Sequence, residues 1–123
     1  MSFLTRIRDH LTRSTDELEA RELSTDGRRA GAQQIGDLTD RDIADVVGVV
    51  RNLTMPPKTQ VPCLVAELYD GTGALTLVWL GRREIAGITC GVRMRARGRV
   101  MMRRGQLTML NPTYDLLPPR TTE

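Results

Sequence analysis

Residues 92–102 read Val-Arg-Met-Arg-Ala-Arg-Gly-Arg-Val-Met-Met. Val92, Met94, Ala96, Gly98 and Val100 alternate with Arg93, Arg95, Arg97 and Arg99. Successive side chains of an extended chain point to opposite faces, so this stretch predicts a strand with an apolar inside and four guanidinium groups outside. Arg103-Arg104-Gly105 follows as a turn and Gln106 to Leu110 as a fifth strand, ended by Asn111-Pro112.

Upstream, the same reading gives three more strands. Ile43 to Leu53 is β-branched and interrupted by Gly48, which predicts a long first strand with a bulge at the glycine. Met55-Pro56-Pro57-Lys58 cannot continue a sheet and forms a loop. Val61 to Tyr69 and Ala74 to Leu80 are strands two and three, joined by the tight turn Asp70-Gly71-Thr72-Gly73. Five short strands with a coiled, bulged first strand imply a small closed barrel.

The N-terminal third reads as helix. Phe3, Leu4, Ile7 and Leu11 form one stripe of a 3.6-residue period. Ser14 and Glu17 fit a capping box, which predicts a break and a second helix carrying Leu18 and Leu23. Gly27, Gly31 and Gly36 predict a linker with partial structure over 24–39. The expected organisation is a helical segment and linker over 1–42, a barrel over 43–117 and a tail over 118–123.

Charge divides the chain at the same place. Residues 1–42 carry seven arginines and nine acids, whereas 43–123 carry eleven basic residues and six acids. Within 82–104 there are eight arginines and one acid, Glu84, and concentrated charge creates a local potential. Lys58 is the sole lysine. His10 is the sole histidine, and Cys63 and Cys90 form no CxxC pair, which argues against a metal centre. Spacing alone leaves a Cys63–Cys90 bridge open, although two cysteines in a chain of 123 residues fit a reducing compartment. The start has no continuous apolar region of the signal type, and no stretch reaches the roughly 20 apolar residues that cross a bilayer. The expectation is a cytoplasmic protein, with the mixed charge of residues 1–13 arguing against a membrane surface.

The order of elements resembles a known family. It runs Val46-Val47-Gly48-Val49-Val50, then Glu67-Leu68-Tyr69-Asp70-Gly71-Thr72-Gly73, Leu75-Thr76-Leu77-Val78-Trp79, a Gly91-led basic strand, Arg104-Gly105 and Asn111-Pro112. This resembles the OB-fold of the tRNA-anticodon-like and helicase-wedge type. The whole chain looks like the small stand-alone OB-fold proteins of actinobacteria, including Asp16-Glu17-Leu18-Glu19-Ala20 ahead of the barrel. The resemblance implies a mainly β protein: a five-stranded Greek-key OB barrel with an N-terminal helical segment. OB barrels mostly bind single-stranded nucleic acid or oligosaccharide, and some bind only proteins. One departure is the insert Gly81 to Gly91, too short for the helix that usually plugs such a barrel. The stripe of Phe3, Leu4, Ile7 and Leu11 is expected to cover the surface left open.

No catalytic constellation emerges. The carboxylates show no acid/base pairing, no serine or cysteine sits in a nucleophile elbow, and Gly71-x-Gly73 lacks the lysine of a phosphate loop. Asp70 is read as the cap of its turn, and no enzyme activity or cofactor is expected. Clustered arginine suits phosphate, which guanidinium groups bind bidentately. The expected function is binding of single-stranded DNA or RNA. Arg93, Arg95, Arg97, Arg99, Arg103, Arg104 and Lys58 would meet phosphates, with Tyr69 and Trp79 as stacking surfaces. The strand-four arginines equally suit a solvated face, because alternation demands polar residues outside. Trp79 shares the parity of Leu75 and Leu77, which suits the core as well as stacking. The alternative function is a protein-interaction module using barrel and helix, including self-association through residues 1–30.

Overall fold

The computed structural model describes residues 3–57 and 61–120, with side chains from Thr15 onward. Its elements are α1 (Phe3–Arg29), a single 3₁₀ turn (Ile35–Asp37), β1 (Ile43–Thr54), β2 (Cys63–Tyr69), β3 (Ala74–Leu80), β4 (Arg93–Arg103), β5 (Gln106–Leu110) and β6 (Thr113–Leu117). The strands form one sheet in the order β1-β2-β3-β5-β4-β6, and β1 also pairs with β4. Five strands therefore make a ring, and β6 lies outside it against β4. All pairings are antiparallel except β3 with β5.

The period-two patterns decide what the ring encloses. Met94, Ala96 and Val100 of β4 point inward with Ala44, Val46 and Val50 of β1 and Leu64, Ala66 and Leu68 of β2. Leu75 and Leu77 of β3 and Met109 of β5 complete the layer. The insert between β3 and β4 forms no helix, but it sends Ile85 and Ile88 into the same core. The expected cover by Phe3, Leu4, Ile7 and Leu11 lies outside the described residues.

Several expectations are corrected. The anticipated break at Ser14–Glu17 is absent, and α1 runs unbroken to Arg29, where Gly31 at φ +74° ends it. The run of strong helix formers from Glu17 to Leu23 outweighs the local cap. Residues 24–39 have partial structure as expected, but that structure is packed onto the sheet. Their helical part lays Gly27 against the Val47 carbonyl, Gln33 bridges to Val46, and Ile35 and Leu38 enter the core. Leu23 of α1 and Val47 of β1 are buried as well, outside the core cluster of the ring. The bulge in β1 falls at Arg51, between Val50↔Leu68 and Asn52↔Glu67. Gly48 is needed for close approach instead, since a Cβ there would stand 2.6 Å from the Tyr69 carbonyl oxygen. The fifth strand ends before Asn111-Pro112 as expected, and the chain then adds a strand that the sequence reading did not place. Asn111 takes φ +47° and turns the chain into β6, which Pro112 precedes and Pro118-Pro119 follow.

Asp70 does more than cap its turn. Its Oδ1 accepts from the Thr72 amide, the Thr72 hydroxyl and the Gly73 amide at 2.9, 2.6 and 3.1 Å. Its Oδ2 accepts from the Ile35 amide at 2.8 Å, so one buried carboxylate joins the β2–β3 turn to the 3₁₀ turn. Gly71, at φ +89°, lies where α1 crosses the same turn, and a Cβ there would run into the Ala20 carbonyl. Asp70→Ala strands these donors and is expected to lower stability by about 3 kcal/mol in urea denaturation.

Candidate nucleic-acid interface

The four arginines of β4 share an outer face, as their alternation requires, but that face is occupied. Opposite them on β1 stand Ile43, Asp45, Val47 and Val49, and on β6, opposite Arg97, Arg95 and Arg93, stand Thr113, Asp115 and Leu117. Arg93 grips Asp26 of α1 bidentately, Nε and Nη2 donating at 2.7 and 2.9 Å. Arg95 grips Asp45 the same way at 2.7 and 2.9 Å, and its Nη1 donates to the Ala30 carbonyl at 3.0 Å. Arg97 meets Asp115 at 3.1 Å and Asp45 at 3.5 Å. Three consecutive guanidinium groups are thus matched by three carboxylates. Among the described residues Arg99 reaches only the Arg41 carbonyl, at 3.4 Å.

The electrostatics agree with this geometry. The hydrogen bond from Arg95 holds the Asp45 carboxyl below its ordinary value, with partial burial opposing and the charges of Arg95 and Arg97 assisting. The same hydrogen bond raises Arg95. A phosphate arriving here would have to displace a carboxylate already held by two short bonds. Arg93, Arg95 and Arg97 therefore fasten α1, β1, β4 and β6 together, and the open polycationic strip expected from the sequence is not present.

Trp79 is also relocated. It is 6% exposed, its Nε1 donates to the Pro112 carbonyl at 3.2 Å, and its ring meets Tyr114 edge-to-face at 5.6 Å. It packs the corner between β5 and β6 and offers no surface for a base. Lys58 lies outside the described residues.

The outer face of β1, β2 and β3 is different. After the bulge, Asn52 and Thr54 of β1 line a shallow groove with Val65 and Glu67 of β2, Thr76 of β3 and Gln106 of β5. The lining is mostly uncharged, with amide and hydroxyl groups beside apolar surface. At one end the Arg51 guanidinium lies 4.0 Å over the Tyr69 ring and 3.7 Å from Glu67. Tyr69 faces outward as expected, but Arg51 takes the position above its ring. Asp16 and Glu19 of α1 stand at this end too. The β4–β5 turn supplies Arg103 and Arg104, both exposed and without an ion-pair partner among the described residues. Pairing of Arg103 with Gln106 places the turn beside the groove.

Arg51 was missed in the sequence, although a signal exists. Val50 and Leu53 both belong on the inside yet stand three apart, an odd spacing that only an extra residue between them permits. Among the described residues no cluster of three His, Cys, Asp or Glu is placed to hold a metal ion. Nor is any helix long and apolar enough to cross a membrane. No family model matches the chain, and no curated protein matches it.

The Asp45 network carries a pH signature. Its carboxyl is lowered from 3.8 in the folded chain, so the unfolded chain binds protons first as pH falls. The stability tied to this group is complete above that ordinary value and is lost as pH drops through the lowered one. Asp45→Asn is expected to lower the Tm at neutral pH and to flatten its decline on the acid side, read by circular dichroism across the acid range.

Proposed function

We propose that the chain is a non-enzymatic OB-type module that binds single-stranded nucleic acid along the outer face of β1, β2 and β3. The observation that carries this reading is the company kept by the groove. A lining of Asn52, Thr54, Thr76 and Gln106, with Glu67 as its one carboxylate, has a guanidinium–tyrosine stack at one end, and the unpaired Arg103 and Arg104 adjoin it at Gln106. Single strands need flat π surfaces and a few cations along a groove, and guanidinium planes stack on bases as aromatic rings do. The ring order β1-β2-β3-β5-β4 supports the OB reading, and the face in question is the one such barrels use for oligonucleotides. On this reading Arg51, Tyr69, Arg103 and Arg104 form the contact, and Arg93, Arg95, Arg97 and Trp79 serve the fold.

Anisotropy of labelled oligo-dT and oligo-U over a salt series tests it. Three cations predict a log–log slope near −2, because single strands lose about 0.7 per phosphate neutralised. Replacing Arg103 and Arg104 together by alanine is expected to weaken binding about tenfold and to remove most of that slope. Arg93→Ala is expected to lower the Tm and leave the slope unchanged. Absence of binding at low salt, or a slope that follows Arg93 instead, overturns the reading.

A further inference from the structure

We propose that the groove selects guanine, with Glu67 reading the donor edge of a base stacked on the Arg51–Tyr69 pair. The inference rests on the single-strand reading of the groove and names the base that suits it. Three carboxylates stand on the strands: Asp45 on β1, Glu67 on β2 and Asp115 on β6. Asp45 and Asp115 accept hydrogen bonds from Arg95 and Arg97 and so belong to the fold. Glu67 does not. Among the described residues it accepts no hydrogen bond, and Arg51 stands 3.7 Å away, the two side chains being 36 and 50% exposed. An ion pair so long and so open contributes little, and a ligand displaces it at little cost. A carboxylate not fastened to the fold weakens the hold on a polyanion unless it contacts a neutral part of the ligand.

Register puts this carboxylate at the centre of a polar row. Asn52 of β1 is its neighbour on one side and Thr76 of β3 on the other. All three line the groove, and neither the Asn52 amide nor the Thr76 hydroxyl makes a hydrogen bond among the described residues. Tyr69 is two residues further along β2, so it shares the face of Glu67 at roughly 7 Å. The Arg51 guanidinium covers the Tyr69 ring at 4.0 Å and, with half its side chain exposed, offers its outer plane to a base. A base stacked there turns its edge toward Asn52, Glu67 and Thr76.

The chemistry of that row fits one base. A carboxylate only accepts, through two oxygens side by side. Guanine presents two donors side by side, N1–H and the N2 amino group, with the O6 acceptor next to them. Glu67 takes the two donors, and the Asn52 amide or the Thr76 hydroxyl donates to O6. Adenine and cytosine each offer one donor group beside acceptors. Thymine and uracil hold N3–H between two carbonyl oxygens, which the carboxylate repels. Asp16 and Glu19 of α1 stand at the Tyr69 end and add further acceptors.

Anisotropy with labelled deoxyoligonucleotides of about twelve residues tests it: oligo-dT, and oligo-dT with every third base replaced by guanine or by hypoxanthine, which lacks the N2 amino group. The guanine form is expected to bind about tenfold tighter than oligo-dT, with the hypoxanthine form between them. In Glu67→Gln that preference is expected to vanish while oligo-dT binds more tightly, because an amide suits N3–H beside a carbonyl; circular dichroism is expected to show an intact fold. Asp16→Asn/Glu19→Gln is expected to keep the preference. Equal binding of the guanine form and oligo-dT by the wild type overturns the proposal and leaves the single-strand reading standing. So does a preference that survives Glu67→Gln, or one that is lost in Asp16→Asn/Glu19→Gln. Absence of binding to all three at low salt overturns both.

Discussion

Closure of the ring rests on β4, whose two faces and two edges are all in use. One edge pairs with β1 from Ile43↔Arg99 to Val49↔Arg93, and the other pairs with β6 and then β5. Its inner face contributes Met94, Ala96 and Val100 to the core. Its outer face carries guanidinium groups that bind carboxylates from α1, β1 and β6. A strand in this position must be apolar at every second residue, and the alternate residues must find polar partners. Arginine meets that second demand well, because its planar fork matches a carboxylate bidentately and its stem covers apolar surface.

The same residues show why a charge count misleads about function. Eight arginines within 82–104 set up a local potential only while their charge is unmatched. Asp26, Asp45 and Asp115 stand 67, 50 and 18 residues from the arginines they bind, so no local reading of the chain would pair them. Of the eight, Arg82, Arg99, Arg103 and Arg104 have no carboxylate partner among the described residues, and they are spread over two sectors instead of one strip.

The legible parts of the sequence were those where a pattern is local and repeated. The alternation along 92–102, the Asp-Gly-Thr-Gly turn and the run from Ala74 to Leu80 each gave an element close to its observed limits. Elements held by distant partners were not legible. Residues 24–39 look like linker because their glycines are visible, whereas their contacts to Val46, Val47 and Asp70 are not. Trp79 had two fitting environments by parity, and the Pro112 carbonyl that settles its place belongs to a corner hidden behind an apparent strand end. Arg51 needed the odd step from Val50 to Leu53 to be read as a bulge, and Gly48 drew that assignment to itself.

A closed ring has one consequence for life at high concentration. Hydrogen-bonding edges recruit passing strands and seed fibrils, and here the ring consumes most of them. β6 keeps a free edge, yet it is only five residues long, carries Asp115 at its middle and is bracketed by prolines that cannot donate to a neighbour. The chain thus presents its backbone as a blunt, charged stub, a poor seed for runaway polymerisation.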